Sequence, residues 1–87
     1  MPAPDPQMLL RWLERLPTNL AGKPVDAETP LIESGLLDSL GILELVSFLE
    51  DGWEVTLPLD EFVAENFRTP AAILAMAARL RAGLAGA

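Results

Sequence analysis

The stretch Asp38-Ser39-Leu40-Gly41-Ile42-Leu43-Glu44-Leu45-Val46-Ser47-Phe48-Leu49-Glu50-Asp51-Gly52 decides how this chain folds. Ile42, Leu45, Val46 and Leu49 recur at i, i+3, i+4 and i+7, which is one apolar stripe of a helix. Either Asp38 or Ser39 can cap its start, and Gly52 is expected to stop it after about Asp51. Leu40 and Leu43 fall off that stripe, toward the flank that Ser47 continues. A helix with one buried stripe needs other apolar elements to cover it.

The flanking sequence supplies them in helical form. Upstream, Asp5 reads as an N-cap with Pro6 at the first helical position. Met8, Leu9, Trp12, Leu13 and Leu16 then recur at helical spacing until Pro17, giving a first helix over about 6–16 after a frayed lead-in. Residues 17–38 form a long connection with Pro17, Asn19, Gly22, Pro24, Pro30 and Gly35. Long loops in small domains are usually pinned or functional. Leu20, Val25, Leu31, Ile32, Leu36 and Leu37 are available to pin this one.

Downstream, Leu59 to Phe67 reads as a helical turn or two, the short helix 3, anchored by Phe62 and Phe67. Thr69-Pro70 is a cap followed by proline, so the last helix runs from Pro70 to about Arg81. Ile73, Met76, Ala77 and Leu80 form its inner face, Arg79 and Arg81 suit its C-terminal dipole, and Gly83 is expected to end it before a loose tail over 82–87. No strand pattern competes and no repeat is present. The expected fold is all-α, a four-helix bundle with a short helix 3 and the 17–38 loop packed across it. Trp12, Leu16, Leu45, Val46, Leu49, Ile73 and Leu80 are its expected core.

Composition narrows the function. At 87 residues there is room for one domain, expected to span 1–87 with its core within about 6–82. The 51% apolar content sets the chain apart from disordered sequences. There is no Cys, His or Tyr. Thiolate or imidazole zinc sites, disulfides and Ser-His-Asp triads are therefore excluded, and no metal site is expected. Six basic residues face 13 acidic ones, for a net charge of −7. No basic residue lies between Lys23 and Arg68, where Asp26, Glu28, Glu33, Asp38, Glu44, Glu50, Asp51, Glu54, Asp60, Glu61 and Glu65 all fall. Such a region repels nucleic acid and anionic membranes and attracts a basic protein partner. A merely solubilising acidic surface is the plainer alternative. With no secretory pattern at the start and no apolar run near the ~20 residues needed to span a bilayer, a cytoplasmic monomer is expected.

The chemistry concentrates at Ser39. A serine at the first residue of a helix is exposed, and free N–H groups and the dipole's positive end favour an anion added to it. Gly35 permits the sharp turn that presents it. No neighbouring base is needed if a separate transferase does the catalysis, which suits a chain without His. Read alone, Asp38-Ser39 could equally be no more than a helix cap.

The wider pattern resembles the acyl carrier protein and peptidyl (aminoacyl) carrier protein family over about residues 6–82. That family's attachment pattern is matched by Gly35-Leu36-Leu37-Asp38-Ser39-Leu40. Its following helix is matched by Leu43-Glu44-Leu45-Val46, and its acidic turn and apolar-Pro step by Leu49-Glu50-Asp51 and Leu57-Pro58. Gly41 and Gly52 depart from the pattern, which suggests a helix softer at both ends. Ala64-Glu65-Asn66-Phe67-Arg68-Thr69-Pro70 looks more like stand-alone aminoacyl carriers, D-alanyl carriers among them, than like the fatty-acid type.

The resemblance implies a non-catalytic carrier with 4'-phosphopantetheine attached from coenzyme A at Ser39, flanked by Asp38 and Leu40. Acyl or aminoacyl groups would be held on it as thioesters. The implied partners are a phosphopantetheinyl transferase, an acyl- or aminoacyl-activating ligase and downstream acyl-accepting enzymes. Leu40 and Leu43 are the candidate apolar contacts, with Glu44, Ser47, Glu50 and Asp51 around them. Leu40 could instead tuck under the loop as core, and Leu43 likewise. The alternative of another class is a carrier-like interaction module that is never modified, against which the intact Asp-Ser-Leu argues.

Overall fold

The structure, a computed structural model, describes residues 5–20 and 22–86. Its elements are α1 (Pro6–Glu14), α2 (Ser39–Trp53), two single 3₁₀ turns at Leu59–Glu61 and Ala64–Phe67, and α3 (Pro70–Gly86). Residues 1–4, most of the expected lead-in, lie outside the described residues. The all-helical class is as expected, but among the described residues there are three α-helices. Among the described residues no helix is long and apolar enough to cross a membrane.

α1 begins as the sequence indicates, with the Asp5 carboxylate accepting from the Gln7 N–H at 2.9 Å. It ends two residues before the expected Leu16. The N–H groups of Arg15 and Leu16 reach back only three residues, to the carbonyls of Trp12 and Leu13 at 3.3 and 3.2 Å. This tightening follows from Pro17, which disfavours helical backbone at the residue before it.

α2 passes through Gly52, the expected stop, and ends at Trp53. Glu54, not a glycine, takes the left-handed conformation at φ 53°. Burial explains the two extra residues. Trp53 is 5% exposed, and Val55 and Leu57 after it are buried too, so the helix must continue until the indole is delivered to the core.

The helical turn or two expected over Leu59–Phe67 is present as two 3₁₀ turns, not as one continuous helix. Val63 is extended between the two turns, and Pro58 before the first lacks an N–H to join a longer run. Phe67 is buried and Phe62 packs beside it at a ring separation of 6.2 Å, so both anchor the segment.

α3 starts with Thr69, whose Oγ1 accepts from the Ala72 N–H at 3.1 Å, and runs through Gly83 to Gly86. The expected loose tail is therefore helical over 82–86, while Ala87 lies outside the described residues. Arg79 and Arg81 consequently sit well inside the helix and not at its C-terminal dipole. Arg79 pairs with Glu61 at 2.6 Å, tying the first 3₁₀ turn to α3. Arg81 donates to the carbonyl of Trp53, which closes the C-terminal end of α2.

The core joins Leu9 and Leu13 of α1, Leu45, Val46 and Leu49 of α2, and Ile73, Met76 and Ala77 of α3. Trp12 and Leu80, expected in the core, are half-buried against its edge. Leu16, Val25, Leu31, Leu36 and Leu37 pin the long connection, with Ile32 partly buried. Leu20 does not join them and is 94% exposed.

Candidate functional site

The start of α2 is held from three directions. The Leu31 N–H donates to the Arg68 carbonyl at 2.7 Å, and the Leu37 N–H donates to the Leu31 carbonyl at 2.9 Å. Gly35 between them sits at φ +81°, a region that favours glycine, and allows the reversal from residue 32 to residue 37. From the other side, the Thr18 hydroxyl donates to the Leu36 carbonyl at 2.5 Å. The Asn19 amide group clasps the Glu14 and Lys23 carbonyls, both at 2.9 Å, which fixes the loop that carries Thr18.

Asp38 is the N-cap and Ser39 the first helical residue. The Asp38 Oδ1 accepts from the Gly41 N–H at 2.7 Å, and its carbonyl accepts from the Ile42 N–H at 2.9 Å. By helix geometry the N–H groups of Ser39 and Leu40 have no intrahelical acceptor. Gly41 is buried directly behind the cap. A Cβ there would lie 3.2 Å from Asp38 Oδ1 and 3.4 Å from a Leu37 methyl, so glycine gives the capping carboxylate its room. The cap thus belongs to Asp38, which leaves the Ser39 side chain free of that duty and exposed.

Of the partner-facing candidates, Leu40, Leu43, Glu44, Ser47 and Asp51 share one face of α2, and Glu50 is set apart from them. Leu40 and Leu43 are 64% and 61% exposed, so neither is core. Glu44, Ser47 and Asp51 line an open groove of about 520 Å³ between α1 and α2, floored by Trp12 and Phe48. The two rings stack at 5.2 Å with planes 22° apart. Glu50 turns away from them, its Oε2 accepting from the Leu57 N–H at 3.2 Å. It braces the connection after α2 and is only half exposed to a partner.

Three more hollows border this end of the molecule. An apolar one of about 290 Å³ lies among Ile32, Ile42, Phe62, Val63, Ala64 and Phe67. One of about 130 Å³ runs by Leu16, Pro17, Thr18, Leu36, Asp38 and Leu40. Thr18 and Leu36 are shared with another, of about 330 Å³, that Asn19, Lys23 and Ser34 also line. None of these was visible in the sequence. Thr18 and Asn19 carried no periodic signal, although the polar pair directly after Pro17 was the only hint available.

Residues 9–77 match the family model described as "Phosphopantetheine attachment site", and the chain belongs to that family. The group that the family carries is 4'-phosphopantetheine. The residues present fit such a group: the N–H groups of Ser39 and Leu40, without an intrahelical acceptor, would hold a phosphate, with apolar and polar grooves alongside.

Among similar proteins, one from Serratia sp. described as "Probable acyl carrier protein PigG" is 36% identical over 58 residues, 67% of this chain and 67% of that protein. The lincomycin biosynthesis protein LmbN of Streptomyces lincolnensis is 48% identical over 54 residues, 62% of this chain but only 19% of LmbN. A D-alanyl carrier protein of Streptococcus uberis is 44% identical over 39 residues, 45% of this chain and 49% of the relative. The likeness thus spans a small part of LmbN and about half of the D-alanyl carrier.

Proposed function

We propose that Ser39 is the attachment residue and that the chain is a non-catalytic carrier, which holds acyl or aminoacyl groups for partner enzymes. The observation that carries this reading is the position of Ser39: first residue of α2, exposed, with the cap made by Asp38. The N–H groups of Ser39 and Leu40 would hold the phosphodiester, helped by the positive end of the helix dipole. When bound, 4'-phosphopantetheine supplies a terminal thiol that carries cargo as a thioester. The protein's own part is presentation, which raises the effective concentration of cargo at each partner.

The partners are a phosphopantetheinyl transferase, an acyl- or aminoacyl-activating ligase and an acyl-accepting enzyme. Aminoacyl cargo is favoured slightly over fatty acyl, supported by the D-alanyl carrier relatives and by the Ala64–Pro70 segment. Leu40 and Leu43 form the apolar centre of the docking face, and Glu44, Ser47 and Asp51 its polar side toward α1. Glu50 has a smaller part because Leu57 already holds its carboxylate. Incubation with coenzyme A and a broad-specificity transferase tests the reading by intact mass. One added phosphopantetheine per chain is expected, and an unchanged mass would leave a carrier-like interaction module as the function.

A further inference from the structure

This inference rests on attachment at Ser39 and concerns where the attached arm lies. Two separate sets of hollows reach the first turns of α2, and they differ in chemistry. The one toward the 3₁₀ turns is lined by Ile32, Ile42, Phe62, Val63, Ala64 and Phe67, without a polar side chain. The other begins beside Ser39 itself, since Asp38 and Leu40 are among its walls, and Leu16, Pro17 and Leu36 give it an apolar floor. Through the shared Thr18 and Leu36 it leads to the larger hollow, where Asn19, Lys23 and Ser34 add polar groups.

Pantetheine has matching parts in the same order. Nearest the phosphate come two methyl groups on one carbon and a hydroxyl, followed by two secondary amides. Placing amides in the all-apolar hollow would strip them of water with no hydrogen bond in return. The loop-side hollows offer the alternation that small-molecule sites use, apolar walls with a few polar groups. Asn19 and Ser34 are already engaged with backbone groups, whereas Thr18 and Lys23 retain capacity. The Thr18 hydroxyl spends its proton on the Leu36 carbonyl and keeps its lone pairs for an amide N–H, while the Lys23 ammonium can donate to an amide carbonyl.

We infer that the unloaded arm rests along the α1–α2 loop, its dimethyl part against Leu16, Leu36 and Leu40 and its amides beside Thr18, Asn19 and Lys23. In this position it leaves the Trp12–Phe48 groove open to a partner, and the partner must lift it to reach the thiol.

The test is solution NMR of isotope-labelled holo protein, with its intact mass measured first. An unchanged mass would remove the attachment reading and this inference with it. Once conversion is complete, the arm's methyl groups should give nuclear Overhauser cross-peaks to methyls of Leu16, Leu36 and Leu40. The amides of Thr18, Asn19 and Ser34 should also shift relative to the unmodified protein. Cross-peaks to Ile42, Phe62 or Val63 instead, or none to the protein at all, would overturn the placement while leaving attachment at Ser39 intact.

Discussion

At its C-terminal end α2 is tied into the molecule. Trp53 is 5% exposed, Arg81 from α3 donates to its carbonyl, and Glu50 reaches forward to the Leu57 N–H. At its N-terminal end the same helix stands open, with Ser39 exposed and Leu40 and Leu43 each more than half in solvent. Only the backbone is held there, through Asp38 and the turn before it. One end is fastened by side chains while the other leaves its side chains exposed. In the proposed carrier role both are needed, because an exposed serine on a fraying segment would have no fixed position.

The largest expected effect lies at the fastened end. Trp53→Ala should cost about 3–5 kcal/mol, as large aromatic truncations in cores do. Chemical denaturation should show it as a lower midpoint at nearly unchanged slope. A loss below ~1 kcal/mol would mean that the C-terminal end is not the anchor.

The cap comes next. Asp38→Ala should cost about 1 kcal/mol by the same measurement. The two glycines of α2 sharpen the point. Gly52→Ala meets no atom within 4 Å and should stabilise by roughly 0.5–1 kcal/mol through helix propensity. Gly41→Ala should gain clearly less, or lose, because its Cβ crowds the capping carboxylate at 3.2 Å. Equal gains at both positions would show that the Asp38 cap is looser than described.

The smallest effect on stability belongs to the open end. Leu43→Ala should change it by no more than about 0.5 kcal/mol. In the proposed carrier role it should speed dissociation from a loading enzyme, with little dependence on salt. Glu44→Lys combined with Asp51→Lys should instead slow association, and added salt should mask much of that difference. Stopped-flow binding separates the two. If Leu43→Ala unfolds the protein, the boundary between the two ends has been drawn in the wrong place.

How much of this was legible in the sequence follows the same division. Periodicity located all three helices, and Asp5, Asp38 and Thr69 with their neighbours located the starts, because capping is local chemistry. The helix ends were read less well. Gly52 and Gly83 signal a stop only where nothing downstream needs the helix, and α2 had Trp53 still to bury while α3 continues to Gly86. Arg79 and Arg81 looked like dipole partners, yet their true partners, Glu61 and the Trp53 carbonyl, are 18 and 28 residues away in sequence. No local pattern encodes such pairings. The helical turn or two expected over Leu59–Phe67 is present as two 3₁₀ turns, and what the sequence did not show is the extended Val63 that divides them. At the site, Ser39 stood out from its motif, whereas the grooves beside it come from Thr18 and Leu36 meeting across the loop.

The central claim, that Ser39 is the presented residue, is tested most directly by comparing the three serines of the chain. Wild type, Ser34→Ala, Ser47→Ala and Ser39→Ala would each be incubated with coenzyme A and a phosphopantetheinyl transferase, then weighed intact. The first three should each gain one phosphopantetheine. Ser39→Ala should gain none while its circular dichroism and denaturation midpoint stay close to wild type, since Asp38 and not Ser39 makes the cap. A Ser39→Ala protein that still takes up the arm would contradict the account.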